Sequence, residues 1–268
     1  MKTRAITGFF FVAVMLGSVL LGAYAFTLFF LVLSILSVEE FYRLVSTDSV
    51  SPQKRWGLAL VLCVYMAVSM HYFQGEHLRY VLIAIPVSLL IIIAELYRKR
   101  INPFHNIAYT FFGVFYAALP FCFFYAMAFD GGEYSYHYPL AILLMLWGND
   151  TGAYVFGMKL GKHKLFERHS PKKTWEGFFG GMITSLITAF IISLYFHELP
   201  LMHWLVISLI VVVFGSLGDL SESMLKRSFA TKDSGNLLPG HGGLLDRFDG
   251  LLFAAPAVFV YLELIPIL

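Results

Sequence analysis

A chain of 268 residues in which 59% are hydrophobic and 13% charged is far more apolar than a water-soluble domain, whose apolar share is roughly 45–50%. It reads as an all-α, polytopic membrane protein, and a net charge of +2 is too small to suggest a nucleic-acid partner. Cys63 and Cys122 both lie inside apolar runs, so they read as packing residues and not as a disulfide or a metal pair.

A membrane-crossing helix needs about 20 mostly apolar residues. Nine such stretches can be drawn, at roughly 5–22, 24–42, 56–74, 78–96, 107–129, 138–158, 177–196, 201–220 and 250–268. The first has the outline of a signal peptide, with Lys2 and Arg4 ahead of an apolar run that reaches Ala23-Tyr24-Ala25. The next run follows at once with no polar sequence between, which favours a span. Stretches one to five, in residues 1–136, look nearly bland and suited to helix packing, a dimer surface or a lipid cleft. Their main intramembrane charge is Glu95, which reads as an interfacial carboxylate near Arg98 and Lys99. Residues 137–268, with stretches six to nine and their loops, form the candidate catalytic region.

The distribution of cations predicts the orientation. With the N-terminus cytoplasmic and nine spans, of 19 Lys+Arg only Arg79 faces the far side, and the C-terminus lies outside. The far-side loops carry Glu76, Asp130, Glu133 and Glu198 instead. No internal repeat stands out, so the chemistry must come from spans and cytoplasmic loops.

Chemistry-bearing residues begin in the sixth stretch, at Trp147-Gly148-Asn149-Asp150. Counting back from residue 158 at ~1.5 Å per residue, Asp150 lies on the order of 12 Å inside the membrane boundary. An ionised Asp at mid-bilayer costs about 2.5–3.5 kcal/mol, so Asp150 must face a polar interior, as a helix partner or, with Asn149, as the floor of a nucleotide or metal pocket. The loop Lys159–Gly177 then carries six cations, of which Lys159, Lys162, Lys164 and Arg168 suit a topology determinant beside anionic lipid. Its end, Ser170-Pro171-Lys172-Lys173-Thr174-Trp175-Glu176-Gly177, is more specific: Pro171 is expected to start a helix, and Lys172 and Lys173 to hold phosphates.

In the eighth stretch Asp219, Glu222, Ser223, Lys226 and Arg227 share one polar helical sector. Glu222 with Lys226 reads as a helix-stabilising ion pair. Asp219 sits deeper and is the better ligand. Asp246 and Asp249, three apart at the head of the ninth stretch, project from one face, either as N-terminal acids or as ligands. Hard oxygen donors without His or Cys clusters point to Mg²⁺. Gly235, Pro239, Gly240, Gly242 and Gly243 break helix and let backbone approach a ligand, and His241 among them suits a loop hydrogen bond or a phosphate contact.

The 27 residues Ser223–Asp249 read Ser-x-Leu-Lys-Arg, four residues, Lys-Asp-x-Gly, two residues, Leu-Pro-x-His-Gly-Gly-Leu-x-Asp-Arg-Phe-Asp. This pattern resembles the signature of the phosphatidate cytidylyltransferases, or CDP-diacylglycerol synthases, and Ser170–Gly177 is similar to a second segment typical of that family. The resemblance implies transfer of CMP from CTP to phosphatidic acid, with CDP-diacylglycerol and pyrophosphate as products. It implies a metal pair, Mg²⁺ with a monovalent cation such as K⁺, held by Asp219 and Asp246 and supported by Asp249. Lys226, Arg227, Lys232 and Arg247 would clamp phosphates, and Ser223 would orient an oxygen. A homodimer in a bacterial inner membrane, with the site on the cytoplasmic side, is the expected setting. Asp246-Arg247-Phe248-Asp249-Gly250 also begins like the motif of CDP-alcohol phosphotransferases, whose later aspartates are missing here. A CTP-dependent polyprenol or lipid kinase, or a membrane transporter, are the alternatives.

Overall fold

The computed structural model describes residues 2–130, 132–237 and 242–265, without the side chains of residues 2–6 and Asp130. His241, together with Pro239 and Gly240, lies outside the described residues. Each of the nine apolar stretches falls on helix: α1 (Lys2–Leu20), α2 (Ala23–Val45), α3 (Lys54–Gln74), a 3-10 turn running into α4 (Ala84–Tyr97), α5 (Pro103–Ala117) with α6 (Leu119–Ala126), α7 (His137–Leu160), α8 (Trp175–Ser193), α9 (Leu201–Ser228) and α10 (Leu245–Leu264). Among the described residues, six helical segments are long and apolar enough to cross a membrane on those criteria alone: Ala23–Val45, Lys54–Gln74, Leu78–Tyr97, Pro103–Ala126, Trp175–Ser193 and Leu201–Ser228. The chain is therefore a multi-pass membrane protein.

The helices form two compact units, one of residues 1–136 with 233–247 and one of residues 137–232 with 248–268. The first unit is cored by aromatic side chains, with Phe26, Phe30, Phe41, Phe121 and Phe124 fully enclosed. Tyr42 donates its hydroxyl to Thr110 O at 2.6 Å, joining α2 to α5. Glu95 pairs with Arg98 at 2.8 Å and is buried among the helices. Its carboxylate also accepts from Gln53 Nε2 at 2.6 Å and Asn106 Nδ2 at 2.7 Å. Three donors satisfy a charge that would otherwise be costly so deep in the bundle, and they tie α4 to α5 and to the residue preceding α3. Lys99 plays no part in this cluster.

The second unit is built on a close α7–α8 pair. Thr184 of α8 donates to Gly148 O of α7 at 2.8 Å, Ser208 of α9 donates to Ser185 of α8 at 2.9 Å, and His203 of α9 meets Tyr261 of α10 at 2.8 Å. Gly218 of α9 packs against the backbone of Asp249 and Gly250, which brings Asp249 close to Asp219.

Pro171 does not start a helix. Strands β3 (Lys164–Phe166) and β4 (Ser170–Thr174) form an antiparallel hairpin, after two-residue strands β1 (Phe129–Asp130) and β2 (Glu133–Tyr134) earlier in the chain. A two-stranded hairpin tolerates proline because each strand is an edge and needs only some of its N–H groups. α8 begins at Trp175 because Thr174 is extended and its Oγ1 accepts from Gly177 N at 3.1 Å, as an N-cap should. Glu176 turns back to the hairpin, accepting from Lys162 N and His163 N at 3.1 and 3.2 Å.

Candidate active site

In the second unit, Lys173 at the end of β4 reaches Asp219 of α9, Nζ to Oδ2 at 2.6 Å. Asp249 of α10 lies within electrostatic range of Asp219, Asp150 and Lys173. Three carboxylates and one ammonium from α7, β4, α9 and α10 thus gather in one place. Like charges so gathered repel one another, and the Lys173 ammonium offsets part of that repulsion. Ser223 Oγ stands 3.4 Å from Asp219 Oδ1, one helical turn on. Asp249 Oδ1 accepts from Gly250 N at 2.7 Å, which orients its carboxylate.

The other expected residues divide. Asp150 is exposed at the centre and accepts from Asn149 Nδ2 at 3.5 Å, and Asn149 is itself buried against Gly181 of α8. Lys226 is paired with the buried Glu222 at 2.6 Å, the ion pair that their spacing predicts. Arg227 is exposed and donates to Thr231 O at 3.2 Å. Lys172 and Lys232 are exposed.

Asp246 and Arg247 belong to the first unit. Asp246 Oδ2 accepts from Ser234 N at 3.1 Å and Gly243 N at 2.8 Å, with Ser234 Oγ 3.0 Å away, so residues 234 and 243 both serve it. Arg247 is exposed. Within this unit the close backbone approach expected at Gly235 and Gly243 is real, but the group admitted is Glu40 of α2. A Cβ on Gly235 would stand 2.6 Å from Glu40 Oε2, and one on Gly243 would overlap Glu40 Oε1 and Ser234 Oγ. Glu40 is the buried residue of this unit that the sequence reading missed. A second carboxylate in an apolar stretch was the available signal, and α2 is not as bland as it looked.

Among the described residues, no three His, Cys, Asp or Glu side chains are placed to hold a metal ion between them. The donors of the second unit are nevertheless all carboxylate oxygens, a set that suits Mg²⁺ only if water and substrate phosphates complete its shell.

The model of the cytidylyltransferase family matches residues 2–265. A phosphatidate cytidylyltransferase of Staphylococcus haemolyticus is 36% identical over 265 residues, covering 98% of this chain and 99% of that relative. The phosphatidate cytidylyltransferase of Bacillus subtilis is 35% identical over 266 residues, with 98% of each chain covered. That of Staphylococcus aureus strain COL is 35% identical over 265 residues, covering 98% of this chain and 99% of the relative.

Proposed function

The chain belongs to the cytidylyltransferase family, and we propose that the centre formed by Asp150, Lys173, Asp219 and Asp249 is where it transfers CMP. It is an enzyme, a nucleotidyltransferase that makes CDP-diacylglycerol and pyrophosphate from CTP and phosphatidic acid in phospholipid synthesis. In the reaction, an oxygen of the lipid phosphate bonds to the α-phosphorus of CTP as the bond from that phosphorus to the pyrophosphate oxygen breaks. The second pKa of a phosphate ester is about 6, so the nucleophile is already ionised near neutral pH and no strong base is required. The barrier is repulsion between two polyanions, and fixed cations lower it most.

The observation that carries the reading is the Lys173–Asp219 ion pair at 2.6 Å within range of Asp249. Lys173 is tethered to the centre by a short strand and brings a cation to it. Lys172, Arg227 and Lys232, and Arg247 in the first unit, are exposed cations suited to phosphate. Ser223 is suited to orient an oxygen beside Asp219. Mg²⁺ held by Asp219 and Asp249, with K⁺ as a second cation, would supply further neutralisation of the phosphates. Asp246 keeps its proposed place as a metal ligand.

Nine crossings with the N-terminus in the cytoplasm and the C-terminus outside are also part of this proposal, in a bacterial inner membrane with the site facing the cytoplasm. The supporting observation is the single cation, Arg79 of 19 Lys+Arg, left on the far side. A homodimer completes the setting, and light scattering of the detergent-solubilised protein at twice the chain mass tests it.

The deciding experiment is incorporation of label from α-³²P CTP into chloroform-extractable lipid by purified protein with phosphatidic acid and Mg²⁺. Wild type should transfer label, and Asp219→Asn and Asp246→Asn should lose at least ~100-fold. Entry of γ-label alone, with polyprenol or diacylglycerol supplied, would make the enzyme a kinase instead. Full activity of Asp219→Asn would remove that carboxylate from the mechanism.

A further inference from the structure

Glu40 stands five residues before the end of α2, 7% exposed, and both of its oxygens serve one distant segment. Oε1 accepts from Ser234 Oγ at 2.6 Å and from Leu245 N at 2.9 Å. Oε2 accepts from Leu244 N at 2.9 Å. Leu244 and Leu245 lie where α10 begins, so Glu40 satisfies N–H groups that a helix leaves unpaired, and it does so from another helix. The glycines at 235 and 243 are the positions that make room for it.

The contacts continue past Glu40. Ser234 Oγ also lies 3.0 Å from Asp246 Oδ2, and the hydroxyl has one proton to donate, with the shorter contact toward Glu40. Ser234 N and Gly243 N then both serve Asp246. The carboxylate of α2 therefore holds the Ser234 side chain and the backbone of 244–245, on both sides of Asp246's cradle. Burying a carboxylate costs several kcal/mol unless donors repay it, and an apolar side chain would pack α2 more cheaply. Among the described residues, the side-chain and backbone donors to this carboxylate come from the signature segment.

We infer that Glu40 is a positioning residue for CMP transfer: it holds Ser234, Leu244 and Leu245, and through Ser234 the carboxylate of Asp246, in the geometry that the reaction uses. This rests on the reading that the signature segment serves that reaction.

The test uses the full-length protein in detergent as wild type, Glu40→Gln, Ser234→Ala, the double variant, and Glu39→Gln as control, since Glu39 pairs with the exposed Arg43 on its own helix. Glutamine keeps the shape and one acceptor oxygen but turns an amide N–H₂ toward a backbone N–H. CMP transfer from CTP to phosphatidic acid is measured beside hydrogen exchange of the Leu244 and Leu245 amides and thermal unfolding. The expected result for Glu40→Gln is kcat lower by about 10- to 100-fold. KM for either substrate should stay within about two-fold. The Leu244 and Leu245 amides should exchange faster while helices α3 to α9 keep their protection. Glu39→Gln should match wild type, and the double variant should be no worse than Glu40→Gln. A kcat within about two-fold of wild type would overturn the inference. So would exchange that rises equally in every helix, which would make Glu40 a general fold residue. A wild type without CMP transfer would sink the underlying reading, and the exchange data would still report on the Glu40 anchor alone.

Discussion

Lys173 and Asp219 are 26% and 38% exposed, and an ion pair so open to water contributes about 0–1 kcal/mol to stability. Lys173→Met should therefore shift the thermal midpoint by no more than ~2–4 °C. Its effect belongs to the reaction, where loss of a fixed cation should lower CMP transfer at least ~10-fold. Unchanged transfer would exclude Lys173 from the centre. The sequence marks Lys172 and Lys173 as equals, because nothing local separates them. In β4 successive side chains point to opposite faces, so one lysine stays in water while its neighbour turns to Asp219. Glu222 with Lys226 was legible since helical spacing alone makes them neighbours. Glu40 was not, because its partners lie 194 to 205 residues away and no periodicity reports such a distance.

At the scale of elements, the close contact of α7 with α8 holds the helix that carries Asp150 against the one that follows Lys173. A Cβ on Gly152 would stand 2.7 Å from Gly180 O and would overlap Thr184 Oγ1, and a backbone carbonyl cannot turn aside. Gly152→Leu should cost about 1–3 kcal/mol through overpacking, with a lower unfolding temperature and reduced CMP transfer. Gly17→Leu in α1, where the added Cβ meets only Leu21 Cδ1 at 4.0 Å, should unfold as wild type does. Equal midpoints for the two variants would contradict the tight α7–α8 contact. The positions of the helices were readable from apolar run length to within a few residues. Their interruptions were less so: the fifth stretch breaks at Ala118, before Pro120, and Pro171 sits in a strand although proline favours a helix start. Whether a proline opens a helix or edges a hairpin depends on what pairs beside it, here Lys164–Phe166.

For the whole molecule, the proposed orientation puts Glu76 outside and Arg100 inside. Cysteine labelling of intact cells with a membrane-impermeant reagent tests it against the unsubstituted chain as background. Glu76→Cys should label in intact cells and Arg100→Cys only after permeabilisation, and the reverse pattern would invert the topology. Cation placement is the ground for this orientation, because it sums over the whole chain. Membership of the two units was not readable, because residues 233–247 join residues 1–136 through contacts made by Glu40 and not through any feature of their own composition.

The separation of 205 residues between Glu40 and Leu245 also has a bearing on biogenesis. At about 5–20 residues per second of synthesis, α2 waits on the order of 10–40 s before its partner segment is made. For that interval the carboxylate lacks the donors it has in the finished protein, so it must be hydrated, protonated or sheltered by the insertion machinery. The signature segment can order itself only as one of the last steps of assembly, after the chain that precedes it has been laid into the membrane.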